Sequence, residues 1–224
     1  MKLTKLFLQS IGKILSGVIL VGILIFLPAG TVAFLNGWIL MAVLFVPMFL
    51  AGVVMLFKSP ELLKRRLKAK EQQKEQKLVV VLSGLMFVAG FTVAGLDFRF
   101  GWSELSKNSV LIAVLVFLAA YVLYAEVIRE NEYLSRTIEV QENQRVIDTG
   151  VYGIVRHPMY TSTVVLFLAM PIILGSIWAL LIFLAYPIII VTRIKYEEAF
   201  LEENLEGYSA YKQKVKYRLI PFLW

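Results

Sequence analysis

The chain has no cysteine and a single histidine, His157, among its 224 residues. Lack of cysteine excludes disulfides, thiolate nucleophiles and Cys metal sites. With one histidine, a multi-His metal centre is excluded too, and no metal is expected. Charge is also missing over long distances. Residues 14–57, 78–96, 108–125 and 158–192 contain no Asp, Glu, Lys or Arg.

Those runs decide the class. The composition is 59% hydrophobic with a mean hydropathy of +0.75, against an apolar share of about 45 to 50% in soluble domains. A bilayer span takes about 20 apolar residues, so the first run holds two helices and the next two hold one each. The run 158–192 would rise about 52 Å as one helix, too long for a hydrocarbon core of about 30 Å. It reads as a hairpin of two short or tilted helices broken near Pro171 to Ser176, "PIILGS". The expected fold is all-α, a polytopic membrane protein of five or six transmembrane helices. The first apolar run continues into a second span instead of a cleavage site and a polar chain, so the N-terminus is expected to be retained. Residues 1–128 are expected to form the N-terminal helices, and 129–224 a catalytic region of loop, motif, hairpin and C-terminal helix.

The charge that exists is withdrawn into blocks. Residues 58–77, "KSPELLKRRLKAKEQQKEQK", carry eight basic residues, Lys58, Lys64, Arg65, Arg66, Lys68, Lys70, Lys74 and Lys77, against Glu61, Glu71 and Glu75. The positive-inside rule makes this loop cytoplasmic. Threading from it puts Lys2, Lys5 and Lys13, both termini, residues 129–157 and the basic tail on the same side. Most of the net charge of +7 then faces anionic headgroups at about 1 kcal/mol per basic residue, so the bilayer is the expected partner and nucleic acid is not. Ser59, Pro60 and Glu61 form a helix-start signal, and Leu62, Leu63 and Leu67 among basic residues suggest an interfacial amphipathic helix. Trp38, Trp102 and Trp178 read as membrane-belt anchors, and Glu126, Arg129, Glu130 and Glu132 as a solvated face.

The chemistry concentrates in two blocks. In "DTGVYGIVRHPMY", residues 148–160, Pro158 suits the first turn of a helix, which leaves Arg156 and His157 at the membrane boundary and Tyr160 within the first turn. Taken alone, such a block can be a set of interfacial anchors. In "TRIKYEEAFLEENLEGYSAYKQKVKYRLIPF", residues 192–222, Arg193 and Glu197 are four apart on one helical face, the spacing of an ordinary ion pair. The hairpin between the blocks returns its ends to one membrane face, so the two sets converge.

These paired motifs resemble the C-terminal catalytic region of the isoprenylcysteine carboxyl methyltransferase family over roughly residues 138–223. The resemblance implies an integral-membrane enzyme using S-adenosylmethionine without a soluble nucleotide-binding domain, in keeping with the lack of a G-x-G-x-x-G signature. It implies cofactor contacts at Gln144, Arg145, Val146 and Ile147, at Tyr152, at His157, Pro158, Met159 and Tyr160, at Glu197, and at Gln141. It implies that Arg193 binds the substrate carboxylate and is the catalytic residue. Gly207, Tyr208, Tyr211, Val215 and Pro221 echo the family's tail as a lid, although "LEENLEGYSAY" departs from the family spacing by one residue.

The residue types suit these roles. Tyr152 or Tyr160 offers an aromatic face to a sulfonium, Glu197 accepts from ribose hydroxyls or an ammonium, and His157 has one donor and one acceptor when neutral. The backbone at Gly150 and Gly153 is open to an adenine edge. A carboxylate nucleophile needs no base, and the planar fork of Arg193 can align it. The expected acceptor is a lipid-like or prenylated molecule, a prenylated cysteine or similar amphiphile. An amine acceptor, as in phospholipid N-methylation, would need a base such as His157 or Glu198. An NADPH-dependent sterol-type reductase and a non-enzymatic membrane protein are the other readings. The last lacks the intramembrane charges that transport pathways use.

Overall fold

The computed structural model describes residues 3–67, 74–135 and 137–224. Of the charged residues named above, Lys2, Lys68, Lys70 and Glu71 lie outside them. The described residues are helical with irregular connections: α1 (Leu3–Ala29), α2 (Leu35–Lys58), α3 (Pro60–Leu67), α4 (Lys74–Phe100), α5 (Lys107–Glu130), a 3-10 turn (Gly150–Gly153), α6 (Pro158–Ile173), α7 (Ile177–Phe183), α8 (Ala185–Asn204) and α9 (Tyr208–Lys214).

Five stretches are long and apolar enough to cross a membrane: Leu3–Ala29, Leu35–Lys58, Lys77–Phe100, Lys107–Glu130 and Ile177–Asn204, the last being α7 and α8 joined at Leu184. The expected all-α membrane fold is therefore present, and the hairpin is asymmetric. Its first arm, α6, has 16 residues, a rise of about 24 Å against a core of about 30 Å. The helix runs through Pro171 and ends at Ile173. The reversal is made by Gly175 at φ +80°, and Ser176 then caps α7 by accepting from the Ala179 N–H at 3.0 Å.

One apolar core joins both halves of the chain. Ile25 of α1, Leu40 of α2, Met86 and Phe91 of α4 and Phe117 of α5 pack with Ile173, Phe183 and Ile194 of the hairpin and its continuation. Gly90 makes the α4–α7 approach possible, since a Cβ there would lie 2.4 Å from the Phe183 ring. The large exposed residues, such as Leu8, Ile19, Leu111 and Ile188, are those that lipid would cover.

The two ends of this bundle differ. At one, α3 tucks beneath the helices: Leu63 packs with Leu6 and Leu56, and Leu62 with Val127, Leu134 and Tyr152. The amphipathic helix expected here thus buries its leucines against protein, beside the lead-in to the RHP motif. At the other end lie the α1–α2, α4–α5 and α6–α7 connections, with the half-exposed Trp38, Trp102 and Trp178, as membrane-belt residues require.

Candidate active site

Pro158 opens α6 at its first position and His157 is the N-cap residue, so the RHP tripeptide enters the helix as its sequence suggests. What holds it is the tail. The N–H groups of Arg156 and His157 donate to the carbonyls of Tyr217 and Arg218, each at 2.9 Å. The Arg156 guanidinium adds Nη1 bonds to the Val215 and Lys216 carbonyls at 2.6 and 2.9 Å, and the Thr161 hydroxyl donates to the Leu219 carbonyl at 2.8 Å. Residues 215–219 therefore lie along the motif and fix its backbone.

From the other side, α8 delivers Arg193, Glu197 and Glu198, and the two glutamates part company. Glu198 is buried at 2% exposure. Its carboxylate accepts from Arg156 Nε at 2.7 Å and Arg218 Nε at 3.0 Å, and pairs with His157 Nε2 at 3.2 Å. Glu197, about 100° round the helix, accepts from the Tyr160 hydroxyl, which in turn accepts from Arg193 Nε at 2.7 Å. Arg193 also stands 5.9 Å from the Tyr160 ring centre, so that aromatic face already has a cation beside it.

The third wall is the lead-in, residues 131–157. Tyr152, on the 3-10 turn, is buried. Its hydroxyl accepts from Asn131 Nδ2 at 2.9 Å and its carbonyl from the Tyr211 hydroxyl at 2.8 Å. Burial pushes the Tyr152 hydroxyl up to about 12, against the lowering pull of the Asn131 bond, so it is a neutral phenol at physiological pH. Gly150 serves a different purpose from the open adenine edge expected for it. At φ +50° it clears the Glu130 carboxylate, which a Cβ would approach to 1.5 Å, and Glu130 accepts from the Val151 N–H at 3.0 Å. Neither Gly150 nor Gly153 lines the cleft, and Glu130 is a cap on this turn, not a purely solvated residue.

These walls line a cleft that is open on one side. Gln144, Arg145, Val146, Ile147, Tyr152, His157, Pro158, Met159, Tyr160, Arg193 and Glu197 all line it. Gln141 does not. It borders a separate groove with Glu61, Lys64 and Arg65, and its side-chain amide donates to the Tyr133 carbonyl at 2.6 Å. Sequence reasoning missed Asn131, Tyr133, Ser135, Thr137 and Glu139 of the lead-in, and Leu201 and Leu205 of α8 and its C-cap, all of which line the cleft. The irregular lead-in has no periodicity to reveal a face; Leu201 continues the α8 stripe of Arg193 and Glu197 at four-residue spacing.

The arrangement fits S-adenosylmethionine. Glu197 offers a carboxylate to hydroxyls or an ammonium, Tyr152 a neutral ring, and Val146, Leu201 and Leu205 an apolar wall. The Tyr208 hydroxyl, buried and without a partner among the described residues, is a donor awaiting an acceptor. Residues 108–207 match the phospholipid methyltransferase family. No curated protein matches the chain. The match runs from the start of α5 to the residue before α9 and contains the RHP motif, the hairpin and the Arg193–Glu198 block. The resemblance read from the sequence and this match over residues 108–207 are to one broad family of integral-membrane methyltransferases, which suggests a membrane methyltransferase acting on lipid-like substrates.

Proposed function

We propose that the protein methylates the carboxylate of a prenylated cysteine or similar amphiphile, with S-adenosylmethionine held by Tyr152, His157, Met159, Tyr160, Glu197 and residues 144–147 of the lead-in. When bound, the cofactor supplies an electrophilic methyl group. The chain's part is alignment. Arg193 binds the acceptor carboxylate, and the Tyr160 hydroxyl ties Arg193 Nε to Glu197, linking the acceptor residue to a cofactor residue through one atom. That link is the observation that carries the reading. Fixing two reactants in this way is worth up to about 7 to 11 kcal/mol. An ionised carboxylate needs no general base, which agrees with a cleft whose neighbouring Glu198 is held by Arg156, Arg218 and His157.

The description of the matched family favours a second reading, a phospholipid amine. An amine must lose a proton, and Glu197, half-buried beside Tyr160, is then the base. We infer too that the cleft end is cytoplasmic. Support comes from Lys58, Lys64 and Arg65 standing at that end, where α3 packs under the cleft, together with the positive-inside rule.

The test begins with calorimetric titration of the detergent-purified protein with S-adenosylhomocysteine, with NADPH as comparison. Saturable binding of the first alone is expected; binding of NADPH alone would move the protein to the reductases, and binding of neither would remove the enzymatic reading. Labelled S-adenosylmethionine is then offered with N-acetyl-S-farnesylcysteine or with phosphatidylethanolamine vesicles. A base-labile methyl ester on the first is expected, and a base-stable methyl on the second would replace the carboxylate reading by the amine one. Arg193→Ala should keep S-adenosylhomocysteine binding and lose about 10- to 150-fold in turnover, the scale of one charge-assisted hydrogen bond.

A further inference from the structure

The cleft is chemically divided. Arg193, Glu197, Tyr160 and His157 gather where α6 and α8 meet. Beyond the end of α8 the wall turns apolar: Leu205, Tyr208 and Tyr211 of α9, and Val215 form a buried cluster, with Leu201 and Val146 packed on it. In that wall one polar atom is out of place. Tyr208 lines the cleft, is 4% exposed, and its hydroxyl has no hydrogen-bond partner among the described residues. The neighbouring Tyr211 hydroxyl is already committed to the Tyr152 carbonyl at 2.8 Å. Native proteins leave few buried polar groups unpaired, and each such group weakens the folded state.

The surroundings fix what this hydroxyl wants. Burial raises its pKa well above the ordinary tyrosine value, and the charges of Glu198 and Glu197 add to the rise, so it stays protonated and donates. The same two negative charges disfavour an anionic acceptor beside it. A neutral nitrogen or oxygen in an apolar, aromatic setting is left, and that describes a nucleoside.

We propose that the Tyr208 hydroxyl donates to a neutral acceptor atom on the nucleoside half of S-adenosylmethionine, with Val146, Leu201 and Leu205 forming the apolar wall against the base. This rests on the methyltransferase reading and adds the seat of the nucleoside to it. The stability cost of the unpaired hydroxyl is recovered when cofactor binds.

Tyr208→Phe tests it, because the ring and its packing remain. The full-length parent and variant, purified in detergent, are titrated with S-adenosylhomocysteine and with 5′-methylthioadenosine, which lacks the amino acid head, and their ligand-free melting temperatures are compared. The variant should bind both ligands more weakly by the same factor, about 2- to 12-fold for one neutral hydrogen bond, and should melt at a higher temperature than the parent without ligand. Unchanged affinity would overturn the proposal. So would a loss seen with S-adenosylhomocysteine alone, which would assign Tyr208 to the amino acid head, or a lower ligand-free melting temperature, which would mean the hydroxyl is paired in the folded protein. Failure of 5′-methylthioadenosine to bind a parent that binds S-adenosylhomocysteine would overturn the nucleoside seat and leave the methyltransferase reading standing. Failure of the parent to bind either ligand would remove both.

Discussion

Each end of the bundle is organised by a buried carboxylate, and the two are built differently. At the end away from the cleft, Asp97 is 1% exposed and is held by neutral donors among the described residues: the Ser103 N–H at 2.7 Å, the Ser103 hydroxyl at 2.8 Å and the Ser176 hydroxyl. These pin the α4–α5 connection and the α6–α7 turn to the end of α4. Glu198 at the other end is held by Arg156, Arg218 and His157, and the segments it gathers are the RHP motif, α8 and the tail. Asp97 closes loops over a filled interior. Glu198 braces segments around a space, and two of its partners, Arg156 and His157, also line that space. A neutral cluster suffices where segments meet over a packed interior; the ionic one ties together the segments that surround an opening.

The comparison breaks most visibly at Glu198. Glu198→Ala leaves the Arg156 guanidinium buried without its carboxylate, and breaking a buried pair from one side costs about 3 to 5 kcal/mol. The variant should lose most of its thermal stability and its S-adenosylhomocysteine binding together. A variant that melts like the parent would show Glu198 to be dispensable to the scaffold. Gly150→Ala comes next. A side chain held at a φ of +50° costs about 1 to 3 kcal/mol, and the new Cβ displaces the Glu130 carboxylate that accepts from the Val151 N–H. Because the strain falls on the turn that carries Tyr152, ligand affinity should drop further than stability does, measured by titration beside a melting curve.

At the other end the readouts should separate. Asp97→Ala leaves the Ser103 and Ser176 donors unpaired, a loss of about 1 to 3 kcal/mol. The fraction that remains folded should bind S-adenosylhomocysteine as the parent does. Weakened binding there would mean that the two ends communicate through α4 and the hairpin, and the division drawn above would fail.

The sequence made the ends unequally legible. Charge-free runs gave the spans, and the α6–α7 break fell within "PIILGS" because Gly175 and Ser176 are local turn and cap signals. Pro158 marked the start of α6 for the same local reason. Eleven of the twelve residues expected at the site line one cleft, since two motifs returned to one membrane face by a hairpin must meet. What escaped was long-range or aperiodic. Ser176 and Asp97 are 79 residues apart and Arg156 and Val215 are 59 apart, with nothing in either pattern to pair them. The described residues of 131–147 form no helix or strand, so no period indicated that Tyr133 or Glu139 faces inward. Neighbouring Glu197 and Glu198 look alike as letters and differ only by a helical rotation.

The smallest effect lies at the rim, where Lys214 of α9 pairs with Asp148 before the 3-10 turn at 2.7 Å. Both side chains are well exposed, and exposed pairs contribute little. The hydrogen bond from Lys214 and its charge hold the Asp148 carboxyl below its ordinary value. A carboxylate with a depressed folded pKa stabilises the protein above its unfolded pKa, and that contribution is lost as pH falls through the folded pKa. Asp148→Asn should therefore show a small deficit in melting temperature at neutral pH that closes below about pH 4 and shrinks in high salt. A deficit that persists in acid would mean the pair acts through shape and not charge. One as large as that of Glu198→Ala would mean that α9 is latched over the cleft from its rim, and that the buried carboxylate is not the main brace.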